Sequence, residues 1–182
     1  MARATLFHQL HDVGLAAWFG GTLANAGTLN TAAASAGDPS RVGAVANAGW
    51  DRWTPFNAAA IGIHLAGSAG LVKHDLGRMK VQQGVKTMAI TKTALTVAAL
   101  AVTGYSRILG SKVSQHDAVP AADGTTPTST TPADAASAQK QLKLLQWAIP
   151  GLTGALVAIG AYASEQYRPE EVGKGVVRRI LG

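Results

Sequence analysis

The chain has 182 residues, a formal net charge of +6, only 14% charged residues and no cysteine. An ordinary soluble domain is roughly 25% charged, so the shortfall sets this chain apart. The lack of cysteine excludes disulfides, thiolate metal sites and thiol catalysis. The basic residues do not interleave with aromatics as in single-strand binders, so no nucleic acid is expected as a partner.

Four stretches carry no formal charge: residues 13–37, 53–72, 93–106 and 144–164. A bilayer-spanning helix needs about 20 mostly apolar residues, and three of the four reach that length. The third reaches it if Lys86 and Lys92 snorkel to a headgroup layer with residues 88–90 counted inside. The pattern predicts an all-α fold, an integral membrane bundle of four transmembrane helices with a short C-terminal amphipathic helix. A single domain, 1–182, is expected, with helices at approximately 6–35, 54–73, 86–107 and 139–166.

Along the chain, Gly37, Asp38 and Pro39 end the first helix. Its apolar run followed by small residues also fits a cleaved signal peptide, but His8, His11 and Asp12 crowd the segment before it and weigh against cleavage. Trp50 and Trp53 flank Asp51 and Arg52 as an interfacial belt, with Pro55 in the first turn of the second helix. The basic loop 73–83 suits anionic lipid headgroups. Residues 115–137, rich in Ala, Thr, Pro and Asp, read as a flexible loop. In the tail, 169–181, Val176, Val177, Ile180 and Leu181 recur on one face, which predicts an amphipathic helix at the membrane interface. Basic residues sort ten to six between the two sides of the bundle, so the positive-inside rule places both termini in the cytoplasm of a bacterial inner membrane.

Small residues four apart allow helices to pack closely in lipid. Ala17, Gly20, Gly21 and Ala24 on the first helix, Gly62, Ala66 and Gly70 on the second, and Gly151, Gly154, Ala155 and Ala158 on the fourth form such pairs. Three histidines are candidates for cofactor binding. His11 and His74 lie level at the cytoplasmic edge, where with His8, Asp12 and Asp75 they suit a metal, a haem or proton exchange with a quinone headgroup. His64 lies deeper in the second helix, about 15 Å from His11 in depth at the rise of a helix, so the two are not expected to share an iron. A neighbouring helix would then bond His64 as a neutral ring. No helix interior carries an acidic residue, and no phosphate loop or nucleophile motif is present, so no catalytic residue and no dedicated metal site are expected.

The run His11, six residues, Trp18, Phe19, Gly20, Gly21 resembles the opening helix of two small four-helix membrane families, the haem-containing membrane protoporphyrinogen oxidases and the copper-resistance D proteins. In the oxidases the first histidine is associated with haem, which that resemblance carries to His11 alone. It spans about eleven residues, and Thr22 to Asn25 depart from the pattern. The Ala, Gly and Thr content looks actinobacterial. The leading expectation is a non-catalytic accessory subunit of a larger inner-membrane complex, such as a respiratory oxidoreductase, with other integral membrane subunits and lipids as partners and no cofactor of its own. The alternatives are a haem-binding or quinone-linked membrane redox protein and an accessory subunit of a lipid or solute transporter.

Overall fold

The computed structural model describes residues 4–81, 83–116 and 119–165. The described residues are helical apart from one small hairpin and the turns that join the elements. Helix α1 (Thr5–Ala24) runs on through a π turn (Asn25–Leu29), a short α segment (Asn30–Ala32) and a 3₁₀ turn (Ala33–Ala36). Helices α2 (Pro39–Val81), α3 (Gln83–Val113) and α4 (Ala133–Glu165) follow. Strands β1 (Ala121–Asp123) and β2 (Thr126–Pro127) pair antiparallel between α3 and α4. The tail with Val176, Val177, Ile180 and Leu181 lies outside the described residues.

Three of these helices are long and apolar enough to cross a membrane, over Pro39–Met79, Gly84–Val113 and Ala133–Tyr162. Helix α1 is not among them; its regular part has 20 residues and includes His8, Gln9, His11 and Asp12. The buried residues of this segment are His11, Gly14, Leu15, Trp18, Thr22, Ala26, Asn30 and Ala33. Steps of four drift about 40° in an α-helix of 3.6 residues per turn. The wider π turn takes up that drift and keeps Asn30 facing inward.

Gly37, at φ 77°, turns the chain, a conformation that glycine adopts without steric cost. Asp38 then caps the next helix by accepting the Ser40 N–H at 2.9 Å. Helix α2 therefore starts at Pro39, not near residue 54, and Pro55 falls inside it. The early start follows from burial: Val42 and Ala46 pack against Ala33 and Ala121 of the hairpin. Pro55 and Pro150, each inside a helix, leave the carbonyls four residues earlier without their helical N–H partner.

Helix α1 packs most closely on α2, and α3 on α4, while the seam between α2 and α3 is thin. Trp18 is fully buried at the centre with Ala60, Ala99 and Ile149. At the hairpin end Leu109, Val113, Val119, Ala135 and Ala138 form a second cluster. Residues 115–137 are thus partly built: the hairpin docks on Asn30, whose carbonyl accepts the Gly124 N–H at 3.0 Å, and α4 begins at Ala133.

Asp123 organises the hairpin turn. Its carboxylate accepts the Thr125 N–H at 2.7 Å and the Thr126 hydroxyl at 2.8 Å. Partial burial raises its pKa, but these hydrogen bonds together outweigh burial and hold it below the usual carboxylate value. A depressed folded pKa adds stability that is present above the unfolded value and is lost as pH falls through the folded one. The Gly124 and Thr125 amide resonances are therefore expected to move together toward random-coil positions as a sample is acidified below the ordinary carboxylate range. Asp123→Asn should abolish that pH dependence, and unchanged titration in this variant would remove Asp123 as its source.

Candidate functional site

Two glycines bring α1 and α2 together. A Cβ on Gly14 would lie 2.6 Å from the Ala60 carbonyl oxygen and 2.9 Å from the His64 Cα, and one on Gly67 would lie 2.7 Å from the His11 Cα. Real Cβ atoms do not approach so closely, so only glycine allows this backbone contact. The antiparallel register sets His11 level with Gly67, one turn from His64.

The expected separation in depth between His11 and His64 does not hold: their ring centroids lie 4.6 Å apart at an interplanar angle of 51°. The glycine contacts fix the register of α1 against α2, which the ends of the separate apolar stretches do not. His64 is fully buried. Its Nδ1–H donates to the His11 carbonyl at 3.1 Å, which leaves Nε2 to accept from the Ser68 hydroxyl at 3.5 Å. His11 donates from Nδ1 to Asp12 at 2.7 Å, so in the neutral ring Nε2 carries the lone pair. His74 instead pairs with Asp75 at 3.2 Å on an exposed surface.

A cavity of about 580 Å³ opens beside this cluster, in the seam between the α1–α2 and α3–α4 pairs. His8, His11, Asp12, Asp75, Arg78 and Lys92 supply its polar end, and Leu15, Leu71, Val97, Leu100, Leu156 and Val157 its apolar walls. Lys92 is half-buried and within electrostatic reach of Asp12 and Asp75. It turns toward the cavity, while Lys86 remains exposed. Its place in the cavity differs from the snorkelling position expected from the sequence. The signal was present, because an ionisable group inside an apolar helix marks a functional site by default.

The shape is that of an amphiphile site, with a polar end and a long apolar wall. Both His64 nitrogens are engaged within the fold, while His74 lies outside the cavity lining and pairs with Asp75 at its polar edge. Among the described residues no group of three or more His, Asp or Glu side chains is placed to hold a metal ion.

The small residues divide. Gly21 packs under the Trp53 ring, Gly70 under Phe7 and Gly154 against Phe19, and Ala155 is partly buried. Ala17, Gly20, Ala24, Gly62, Ala66, Gly151 and Ala158 face outward. Trp50 and Trp53 are half-buried and line a second cavity at the hairpin end. No protein family matches the chain, and no curated protein and no solved structure matches it either.

Proposed function

We propose that the chain is a four-span protein of a bacterial inner membrane, with both termini cytoplasmic, that serves as an accessory subunit of a respiratory oxidoreductase by holding a quinone headgroup in the α1–α4 cleft. The observation that carries this reading is the 580 Å³ cavity, apolar along its walls and bordered at one end by His11, Asp12 and Lys92. A quinol hydroxyl donates to His11 Nε2. Asp12, already bonded to Nδ1–H, stabilises the imidazolium formed when the proton moves. The Lys92 ammonium hydrogen-bonds the opposite quinol oxygen, whose own proton leaves to water at the polar end of the cleft, so that both protons and both electrons of quinol oxidation are accounted for. Electrons pass to a redox group of a neighbouring subunit, because His, Asp and Lys exchange protons and not electrons. The outward small-residue faces of α1, α2 and α4 support close docking of such a subunit.

The test is binding of decylubiquinone to the full chain in lipid nanodiscs, scored against empty nanodiscs. Saturable binding is expected, weakened about tenfold by either His11→Ala or Lys92→Met, as for loss of one hydrogen bond to a charged or buried partner. Gentle purification from the native membrane is expected to bring down larger subunits. Partition no greater than in empty nanodiscs would overturn the quinone reading. A Soret band that follows the chain and disappears in His11→Ala would replace it with haem ligated by His11 alone, the reading favoured by the likeness of the first helix to the oxidases.

A further inference from the structure

At the opposite end of the bundle, a second cavity of about 220 Å³ lies in the thin seam between α2 and α3, closed behind by Leu142 and Ile149 of α4. It is lined from Asn47 to Ile61 on α2 and from Thr103 to Val113 on α3. That is about three turns of helix or more, so the space is a slot along the helix axes. Two glycines keep it open. Gly104 and Gly110 both line it, and a Cβ on either would meet nothing within 4 Å. Ala58 and Gly104 are also exposed on the outside of the bundle, so the slot opens sideways between the two helices.

The walls present carbon. Trp53 Nε1, Asn57 Oδ1, Thr103 Oγ1 and Ser106 Oγ are covered by other atoms, so these lining residues turn their carbons toward the space. Toward the hairpin the polar side chains are engaged with one another. Trp50 Nε1 donates to Asn30 Oδ1 at 2.9 Å, Asn30 Nδ2 donates to Gln146, and Arg107 pairs with Asp51 at 2.6 Å. A buried water needs two to four polar partners, which such walls do not offer. A helix is too wide: it is about 10 Å across with its side chains, and one turn of it fills about 400 Å³. A hydrocarbon chain needs neither hydrogen bonds nor that width. The three helices around the slot are the ones long and apolar enough to cross a membrane, so lipid chains border its open side.

We infer that this slot holds one acyl chain of a membrane lipid, which enters sideways between Ala58 and Gly104. The half-exposed Asp51–Arg107 pair and the Trp50 and Trp53 rings mark the headgroup level, and the methylenes run from there toward Ile61 and Ile149. The site is separate from the His11 cleft and does not rest on the quinone reading.

The experiment is tryptophan fluorescence of the full chain in nanodiscs of phosphatidylcholine brominated midway along its acyl chains, scored against unbrominated nanodiscs. Every sample carries Trp147→Phe, because Trp147 is half-exposed on the outer surface. Trp18 is fully buried and does not line the slot, so quenching reports Trp50 and Trp53, which do. Brominated chains are expected to quench most of the Trp50 and Trp53 emission. Gly104→Leu and Gly110→Leu fill the slot without a clash and are each expected to remove most of that quenching. Gly62→Leu, equally free of neighbours but outside the slot, should leave it unchanged. Leucine is the better helix former, so all three variants should unfold at or above the temperature of the parent chain. Absence of quenching without these substitutions, quenching that survives both slot-filling variants, or equal loss with Gly62→Leu would each overturn the site. Quenching by aqueous iodide in place of the brominated chains would also overturn it, by assigning the slot to water.

Discussion

Gly14→Val is expected to destabilise the protein by about 3 kcal/mol or more, while Gly20→Ala and Gly62→Ala leave it nearly unchanged. A Cβ at residue 14 meets the backbone of Ala60 and His64, which cannot rotate away as a side chain can. Relief requires α1 and α2 to separate, which opens the Trp18 core and breaks the His64 bond to the His11 carbonyl. At Gly20 and Gly62 nothing lies within 4 Å of the added atom. Thermal unfolding of the purified variants, followed by circular dichroism, checks the contrast. Equal tolerance at residues 14 and 20 would show that α1 and α2 do not meet in this register. Gly67→Val, facing the His11 backbone, should behave like Gly14→Val.

Asn30→Leu is expected to cost about 3 kcal/mol and to release the hairpin. The Asn30 side chain accepts from Trp50 Nε1 and donates to Gln146, so it ties α1, α2 and α4 together at one buried point. Leucine leaves the Trp50 N–H and the Gln146 oxygen without partners, each costing about 1–3 kcal/mol when buried. The added methyl groups also crowd Gly124, which sits directly against Asn30. Two measurements are needed: thermal unfolding for the loss of stability, and limited proteolysis within residues 119–131 for release of the hairpin. Thr31→Val, at an exposed neighbour whose hydroxyl bonds only its own helix at 3.3 Å, should alter neither. Protection of residues 119–131 in Asn30→Leu equal to that of the parent chain would show that the hairpin is held by other contacts.

The helices were legible because charge exclusion is a local property. Lys73, His74, Asp75 and Arg78 cluster toward the end of α2, and Lys140 and Lys143 precede the apolar part of α4, so these two spans stand out without any contact information. Residues 93–106 of α3 fall short of span length by charge exclusion and residues 13–37, which begin in α1, reach it, the reverse of what the helices show. Their ends were less legible. The second helix is expected from about residue 54 because Trp50, Asp51, Arg52 and Pro55 carry interface and helix-start signals, yet burial of Val42 and Ala46 extends α2 back to Pro39. Burial of Val119 and Ala121, and the Asp123 turn, likewise gave structure to a segment whose composition reads as loop.

The sequence by itself determined that the chain is helical, poor in charge within its spans, and supplied with histidines and acids near the start of α1 and the end of α2. Only the tertiary structure decided which small residues pack. The spacing rule selects Ala17 with Gly21 and Gly62 with Ala66, but packing depends on which helix face meets a neighbour, and the faces used are those of Gly14, Gly21, Gly67 and Gly70. It also decided that His64 lies on His11, that Lys92 faces the cleft, and that Trp53, Asn57, Thr103 and Ser106 surround one space. The physical reason is common to all of these. A helix dictates its own hydrogen bonds and periodicity locally, whereas register between helices is fixed by the few positions at which backbones can touch.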